Sequence, residues 1–351
     1  MSVREAFDFL IQWHLTEQCN LRCTHCYQED TKTGELSLSE IKETITEISE
    51  MFSAWAGRYE VAFSPSFNIT GGEPFLRKDL FEILSEIRGH GYDVYVLTNG
   101  TLIDEGRAKA LKELGVKGVQ VSLEGPEEVH EMVRGKGSFS ASIRGIRHLL
   151  DAGLRVTVNT TLSAINAEHF TKLAGLSASL GVQRLGFSRL VPSGRGAGLV
   201  NSMLSKEEVR KLYEKISSLS PSGLEFVTGD PVATQMKTSL EQGKNSGSVP
   251  AGGCAAGVSG LTFLPDGTIV PCRRLPIPVG NVKKDSLREV WAVSPVLEAL
   301  RDKSRYKGKC RTCRRWADCR GCRAIAYAYA RSQGEDDFLT EDPHCFIDGE
   351  S

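Results

Sequence analysis

No run of this sequence approaches the ~20 apolar residues that a membrane helix needs. The opening stretch, MSVREAFDFLIQWHL, is interrupted by Arg4, Glu5, Asp8 and Gln12 and is followed by no small-residue cleavage site, which excludes a secretory signal. An excess of charge is missing too. Lys and Arg number 43 and Asp and Glu 44, for a formal net charge of −1. With no basic stripe and no acidic tail, neither nucleic acid nor a membrane is expected as a partner. Solenoid repeats and low-complexity tracts are also absent. A hydrophobic share of 40% and a charged share of 25% are those of an ordinary globular protein, expected in the cytoplasm. The 351 residues suit one large domain and a smaller second one.

Cysteine is what the sequence has in excess. Ten are present, three at 19, 23 and 26 and the others from 254 onward. In a long chain without an export signal, tight cysteine groups read as metal ligands or redox centres rather than disulfides. Two regions so far apart in sequence imply at least two metal centres.

Residues 9 to about 190 alternate between strand-like and helix-like segments. Strands are predicted at 9–16, 66–70, 93–99, 118–124, 155–162 and 184–190. Amphipathic helices are predicted at 38–55, 79–89, 104–114, 139–152 and 166–180, the first opened by the capping box Ser37-Leu-Ser-Glu40. Serial βα units give a parallel sheet, either open and doubly wound or an incomplete barrel; periodicity does not choose. Residues 191–203 and 243–253 read as Gly/Ser-rich loops. A helix is expected from 205 to 219, a strand at 224–227 and a helix at 230–242. LTFLPDGTIV, with its turn at Pro265-Asp-Gly267, reads as a hairpin. The expected division is a barrel domain over 1–200, a bridging segment over 201–253 and a cysteine-rich domain over 254–351.

Cys19-x3-Cys23-x2-Cys26 falls in the loop after the first strand, at the end of the sheet where α/β folds carry chemistry. Three thiolates on one short loop can hold three corners of a cubane cluster. A [4Fe–4S] cluster ordinarily takes four cysteines, so one iron is left open, as in catalytic metal sites generally. A zinc site with His25 as fourth ligand is the competing interpretation. CNLRCTHCY resembles the radical SAM superfamily, whose signature is Cx3Cx2C followed by an aromatic residue, here Tyr27. The resemblance implies a partial (β/α)6 TIM-like barrel. It further implies S-adenosylmethionine (SAM) bound at the open iron, reductive cleavage of SAM to a 5′-deoxyadenosyl radical, and an electron donor such as flavodoxin or ferredoxin. Ile69-Thr-Gly-Gly-Glu-Pro74 resembles the family's GGEP motif, which makes Gly71, Gly72 and Glu73 SAM-binding candidates. The glycines would let the backbone approach the ligand and Glu73 would supply an acceptor. Ser122 and Asn159, at the ends of the fourth and fifth strands, and Tyr27 are carried over in the same way. Where relatives often have Asp-Gly after the Ser-Leu pair, this chain has Glu124-Gly125.

The remaining cysteines, Cys254, Cys272, Cys310, Cys313, Cys319, Cys322 and Cys345, resemble the SPASM extension of radical SAM enzymes, which carries two auxiliary [4Fe–4S] clusters. By that resemblance Cys254, Cys272 and Cys322 hold the first and Cys310, Cys313, Cys319 and Cys345 the second, for three clusters in all. The first is one ligand short. The spacer before Cys322 is two residues, where relatives usually have three. Two CxxC pairs close together also read as a zinc ribbon. Arg273, Arg274, Arg311, Arg314, Arg315, Arg320 and Arg323 are expected mostly as a solvated face balancing anionic clusters, with an acidic leader or propionate groups as their other possible partners.

The resemblance favours a maturase that oxidatively modifies a ribosomal peptide or protein side chain, for example by thioether or cross-link formation. The first strand begins near residue 9, so a peptide-recognition domain ahead of the barrel is not expected. A separate leader-recognition protein or the 191–250 region would take that part. The alternatives are a tetrapyrrole side-chain enzyme of heme or heme d1 biosynthesis, an anaerobic sulfatase maturase, and a non-enzymatic zinc-binding scaffold. No catalytic acid or base stands out.

Overall fold

The computed structural model describes residues 7–29, 34–221, 223–236, 249–250 and 252–347. Its first half runs β1 (Phe7–His14), α1 (Leu38–Tyr59), β2 (Phe63–Thr70), α2 (Leu80–Gly89), β3 (Asp93–Thr98), α3 (Glu105–Glu113) and β4 (Gly118–Ser122). Then come α4 (Glu127–Arg134), α5 (Ser138–Asp151), β5 (Val156–Leu162), α6 (Phe170–Ser179), β6 (Arg184–Arg189), α7 (Lys206–Ser218) and β7 (Glu225–Val227). The C-terminal part holds β8 (Gly260–Phe263), β9 (Thr268–Val270), β10 (Gly280–Asn281), α8 (Leu287–Val293), α9 (Pro295–Arg301), α10 (Lys309–Thr312) and α11 (Arg323–Ser332).

Strands β1 to β6 lie in sequence order and pair in parallel, the arrangement of a partial barrel. Period-two alternation sorts their side chains. Phe9, Ile11, Trp13, Phe67, Ile69, Val94, Val96, Val119, Val121, Val156 and Val158 are buried in the main apolar core with the helices. The other face is polar. Gln12, Asn68, Thr70, Gln120, Ser122, Asn159, Thr161 and Ser188 line cavities inside the barrel. This polar inner face is what positions the site.

The sheet does not end with the six strands. β7 pairs in parallel with β6 at one edge, and β8 pairs in parallel with β1 at the other, followed by antiparallel β9 and β10. The ten strands form one sheet, so it runs unbroken across the sequence position drawn at 253/254. The capping box at α1 is present in both directions: Glu40 N–H donates to Ser37 Oγ, and Ser37 N–H donates to Glu40 Oε2 at 2.7 Å.

Two expectations need correction. In the described part of the helix expected at 230–242, Pro231–Met236 form a 3-10 turn; 237–242 lie outside the described residues. The loop at 191–203 contains 3-10 turns over Gly194–Ser202. Helix α4 was not expected at all. Its EEVHEMVR sets Val129, Met132 and Val133 at helical spacing, but the pattern spans little more than one turn, too short to register.

Candidate active site and metal centres

The loop that carries Cys19, Cys23 and Cys26 is braced by four remote segments. After β2, the N–H groups of Gly72 and Glu73 donate to the carbonyls of Thr16 and Gln18 at 2.7 and 2.8 Å. A Cβ on Gly71 or Gly72 would collide with those same backbone atoms, so these glycines exist for a backbone-on-backbone contact with the cysteine loop. From α4, Val133 accepts from Thr24 N–H at 2.9 Å. From the 3-10 turns after β6, Gly196 N–H donates to Cys26 O and Arg195 N–H to Gln28 O. Gly194, at φ 57°, lies against the Tyr27 carbonyl. From the end of β3, Asn99 Nδ2 donates to Asn20 Oδ1 at 2.9 Å.

These braces aim the three cysteines into one cavity, whose wall also includes Tyr27, Gly71, Gly72, Ser122, Asn159, Arg134 and Arg195. Of the SAM-binding candidates only Glu73 is turned away. Its side chain is fully buried and accepts from Thr98 Oγ1 at 2.7 Å and Asn99 N–H at 2.8 Å. The acceptor foreseen for a ligand therefore ties the loop after β2 to the end of β3. Burial pushes its carboxyl up to about 7, against the pull of those hydrogen bonds. Ser122 and Asn159 are register partners on β4 and β5, and Gly186 on β6 leaves room for the Asn159 side chain.

Arg134 went unrecognised in the sequence. Arg134 donates to Glu124 Oε1 at 2.6 and 2.9 Å and reaches Cys23 Sγ at 3.7 Å. Glu124, the residue that departs from the Asp-Gly pattern, is buried and also accepts from Thr161 N–H at 2.8 Å. Burial opposes its ionisation, but Arg134 and His25 beside it hold its carboxyl below the usual carboxylate range. His25 Nε2 lies 3.2 Å from Glu124, and its Nδ1 is buried without a partner. His14 lies behind Tyr27, 3.5 Å from its hydroxyl. Burial, then Arg273, lowers His14 to about 3, so it is neutral at physiological pH.

The later cysteines fall into two further groups. Cys254, Cys272 and Cys322 line a cavity that adjoins the first, and among its described lining residues no further Cys, His, Asp or Glu accompanies them. Cys310, Cys313, Cys319 and Cys345 line another, with Gln235 and Trp316. The short spacer before Cys322 sends adjacent thiols to different cavities. Arg320 and Gly321 both take left-handed backbone, at φ 61° each. The cost of that conformation at Arg320 is offset by hydrogen bonds from its guanidinium to the carbonyls of Ala317, Gly252 and Cys254. Gln235 Nε2 donates to Cys319 and Cys345 Sγ at 3.5 Å each. Burial pushes the Cys310 thiol up to about 12. The expected solvated arginine face is corrected in part. Arg311 and Arg314 are exposed, but Arg320 and Arg323 are buried, and Arg273 and Arg274 line both the first cavity and its neighbour.

All ten cysteines are free thiols. Among the described residues, no three His, Cys, Asp or Glu side chains are set to hold a single metal ion. The thiols instead surround cavities with an all-sulfur donor set, which fits iron–sulfur clusters. Among the same residues no helix is long and apolar enough to cross a membrane.

Comparison with known proteins agrees. Residues 13–176 match the radical SAM superfamily and 254–322 match SPASM, an iron-sulfur cluster-binding domain. The chain is 32% identical to the AdoMet-dependent heme synthase of Methanosarcina barkeri, over 96% of this chain and 95% of that protein. It is 30% identical to the mycofactocin maturase MftC of Mycolicibacterium smegmatis, over 90% of this chain and 78% of that one. The SuiB structure of Streptococcus suis with bound S-adenosylmethionine shares the fold, with a TM-score of 0.73 and 16% identity over 97% of this chain and 78% of SuiB. The chain belongs to the radical SAM superfamily, in its SPASM-containing branch, and is an enzyme of [4Fe–4S] clusters and SAM.

Proposed function

We propose that this enzyme oxidises a side chain of an iron tetrapyrrole. End-to-end similarity to a heme synthase carries the reading, since it leaves neither protein with a large unmatched part. It reverses the order of the two leading alternatives drawn from the sequence. The adjoining cavities support it, because they connect the Cys19/Cys23/Cys26 triad to Cys272 through the barrel.

In this reading the triad holds the SAM-binding cluster. Cys254, Cys272 and Cys322 hold the first auxiliary cluster, and Cys310, Cys313, Cys319 and Cys345 the second. When bound, the triad's cluster and SAM would supply a 5′-deoxyadenosyl radical to take a hydrogen atom from the substrate, and an auxiliary cluster would take the electron that completes the oxidation. The chain's own residues bind and orient. Ser122 and Asn159 offer hydroxyl and amide groups from the strand ends. Arg134, held by Glu124, presents a guanidinium that suits the SAM carboxylate. Neutral His14 backs Tyr27 without adding charge. Flavodoxin or ferredoxin is the proposed electron donor.

Similarity to the mycofactocin maturase favours a second reading, in which a peptide is the substrate. One experiment separates the two. Anaerobic holoenzyme is incubated with SAM, dithionite and either Fe-coproporphyrin III or a precursor peptide. The proposal expects 5′-deoxyadenosine together with a mass change in the tetrapyrrole. An unchanged tetrapyrrole beside a modified peptide would establish the second reading instead.

A further inference from the structure

Between the N-terminal triad and Cys272 the barrel interior is walled by residues common to both adjoining cavities, among them Asn159, Ser188, Arg273 and Arg274. No Asp or Glu lines either cavity among the described residues. Among the described residues, Arg273 and Arg274 are the only Lys or Arg side chains in the wall of the inner one. Arg273 lies over the Tyr27 ring, 5.5 Å from its centroid. Arg274 makes one long hydrogen bond, Nη1 to the Arg189 carbonyl at 3.4 Å, and its Nε is buried with no partner. The carboxylate acting on it, Asp230, is already engaged. It accepts from Arg189 Nε and Nη2 at 2.5 and 2.7 Å, from the Tyr213 hydroxyl at 2.5 Å and from Val232 N–H at 3.1 Å.

A buried guanidinium N–H without an acceptor is costly unless an anion completes it. Cys322, Cys272 and Tyr27 also act on Arg274, but none of them accepts a hydrogen bond from its Nε. The planar fork of arginine matches a carboxylate better than any other common anion except phosphate. We propose that Arg273 and Arg274 form the substrate-binding clamp for a carboxylate side chain, and that they orient the substrate between the triad and Cys272. The inference rests on the tetrapyrrole reading and deepens it: the substrate is bound as a polycarboxylate.

Holoenzyme without SAM or reductant is titrated with Fe-coproporphyrin III and with its tetramethyl ester, following the Soret band. Wild type is expected to bind the free acid at least about tenfold more tightly than the ester. Arg274→Gln should lose that preference by weakening acid binding alone, while Arg274→Lys, which keeps the charge, restores part of it. Iron content and SAM binding should match wild type in both variants. Equal affinity for acid and ester, or an Arg274→Gln variant that binds the acid as wild type does, overturns the clamp and leaves the tetrapyrrole reading standing. A variant that loses iron but keeps its acid preference also overturns it, and makes Arg274 a counter-charge for the cluster. Wild type that binds neither form overturns the tetrapyrrole reading and the clamp together.

Discussion

Glu73 shows how far a motif can be read from residue types alone. GGEP marks the right place, but what each residue touches is supplied by segments remote in sequence: Thr16 and Gln18 against the glycines, Thr98 and Asn99 against the carboxylate. The buried carboxyl has a measurable consequence. With its value raised from 4.5 to about 7, the folded protein keeps a proton that the unfolded chain releases. Its contribution to stability is therefore full below about pH 4.5 and is lost as pH rises through 7. Glu73→Gln should flatten the pH profile of the melting temperature between those limits relative to wild type; parallel profiles would contradict the assignment. Gln235 makes a second case. Hydrogen bonds to cluster sulfurs raise reduction potentials, and this amide donates to two thiols of one group. Gln235→Leu should shift one cluster negative by roughly tens of millivolts and leave the others in place, as read by EPR-monitored redox titration. The cysteines themselves were legible, because thiolate chemistry and spacing are both local.

Among the elements, the strands were legible from short runs of β-branched and apolar residues between turn signals, and the long helices because a helical repeat survives over several turns. Helix α4 was not, although it brings Arg134 and the Val133 carbonyl to the cysteine loop. The segment after β6 was legible only as a break in the pattern. Its Gly194 and Gly196 are there to pack on the cysteine loop. Gly194 is in left-handed backbone and lies on the Tyr27 carbonyl, so any side chain meets both strain and collision. Gly194→Ala should destabilise the protein by about 1–3 kcal/mol and lower the iron bound at the triad. Iron analysis and a thermal melt check both. A variant with wild-type iron content and melting temperature would mean the loop does not depend on this brace.

At the scale of the whole molecule, barrel, bridge and cysteine-rich end are fastened by one buried charge network. Arg189, at the end of β6, pairs with Asp230 of the bridge and with Asp342 near the C-terminus at 2.5–2.8 Å. Asp342 in turn accepts from Cys322 N–H at 2.7 Å. The network is invisible in sequence because its members are separated by 41 and 153 positions and no local pattern marks them. Burial opposes ionisation of Asp342, but Arg189 holds its carboxyl below the usual range. Its contribution is therefore present above about pH 4 and is lost as pH falls through that lower value. Arg189→Met would strand two buried carboxylates and should cost about 3–5 kcal/mol, seen as a large drop in melting temperature. A small drop would mean that the three parts are held chiefly by the shared sheet. The chemistry depends on the triad of Cys19, Cys23 and Cys26. The direct measurement is 5′-deoxyadenosine formed by anaerobic holoenzyme with SAM and dithionite, compared with a Cys19→Ala/Cys23→Ala/Cys26→Ala variant that keeps the other seven cysteines. Formation by wild type and none by the variant is the expected result; no product from wild type, or equal product from both, would contradict the account.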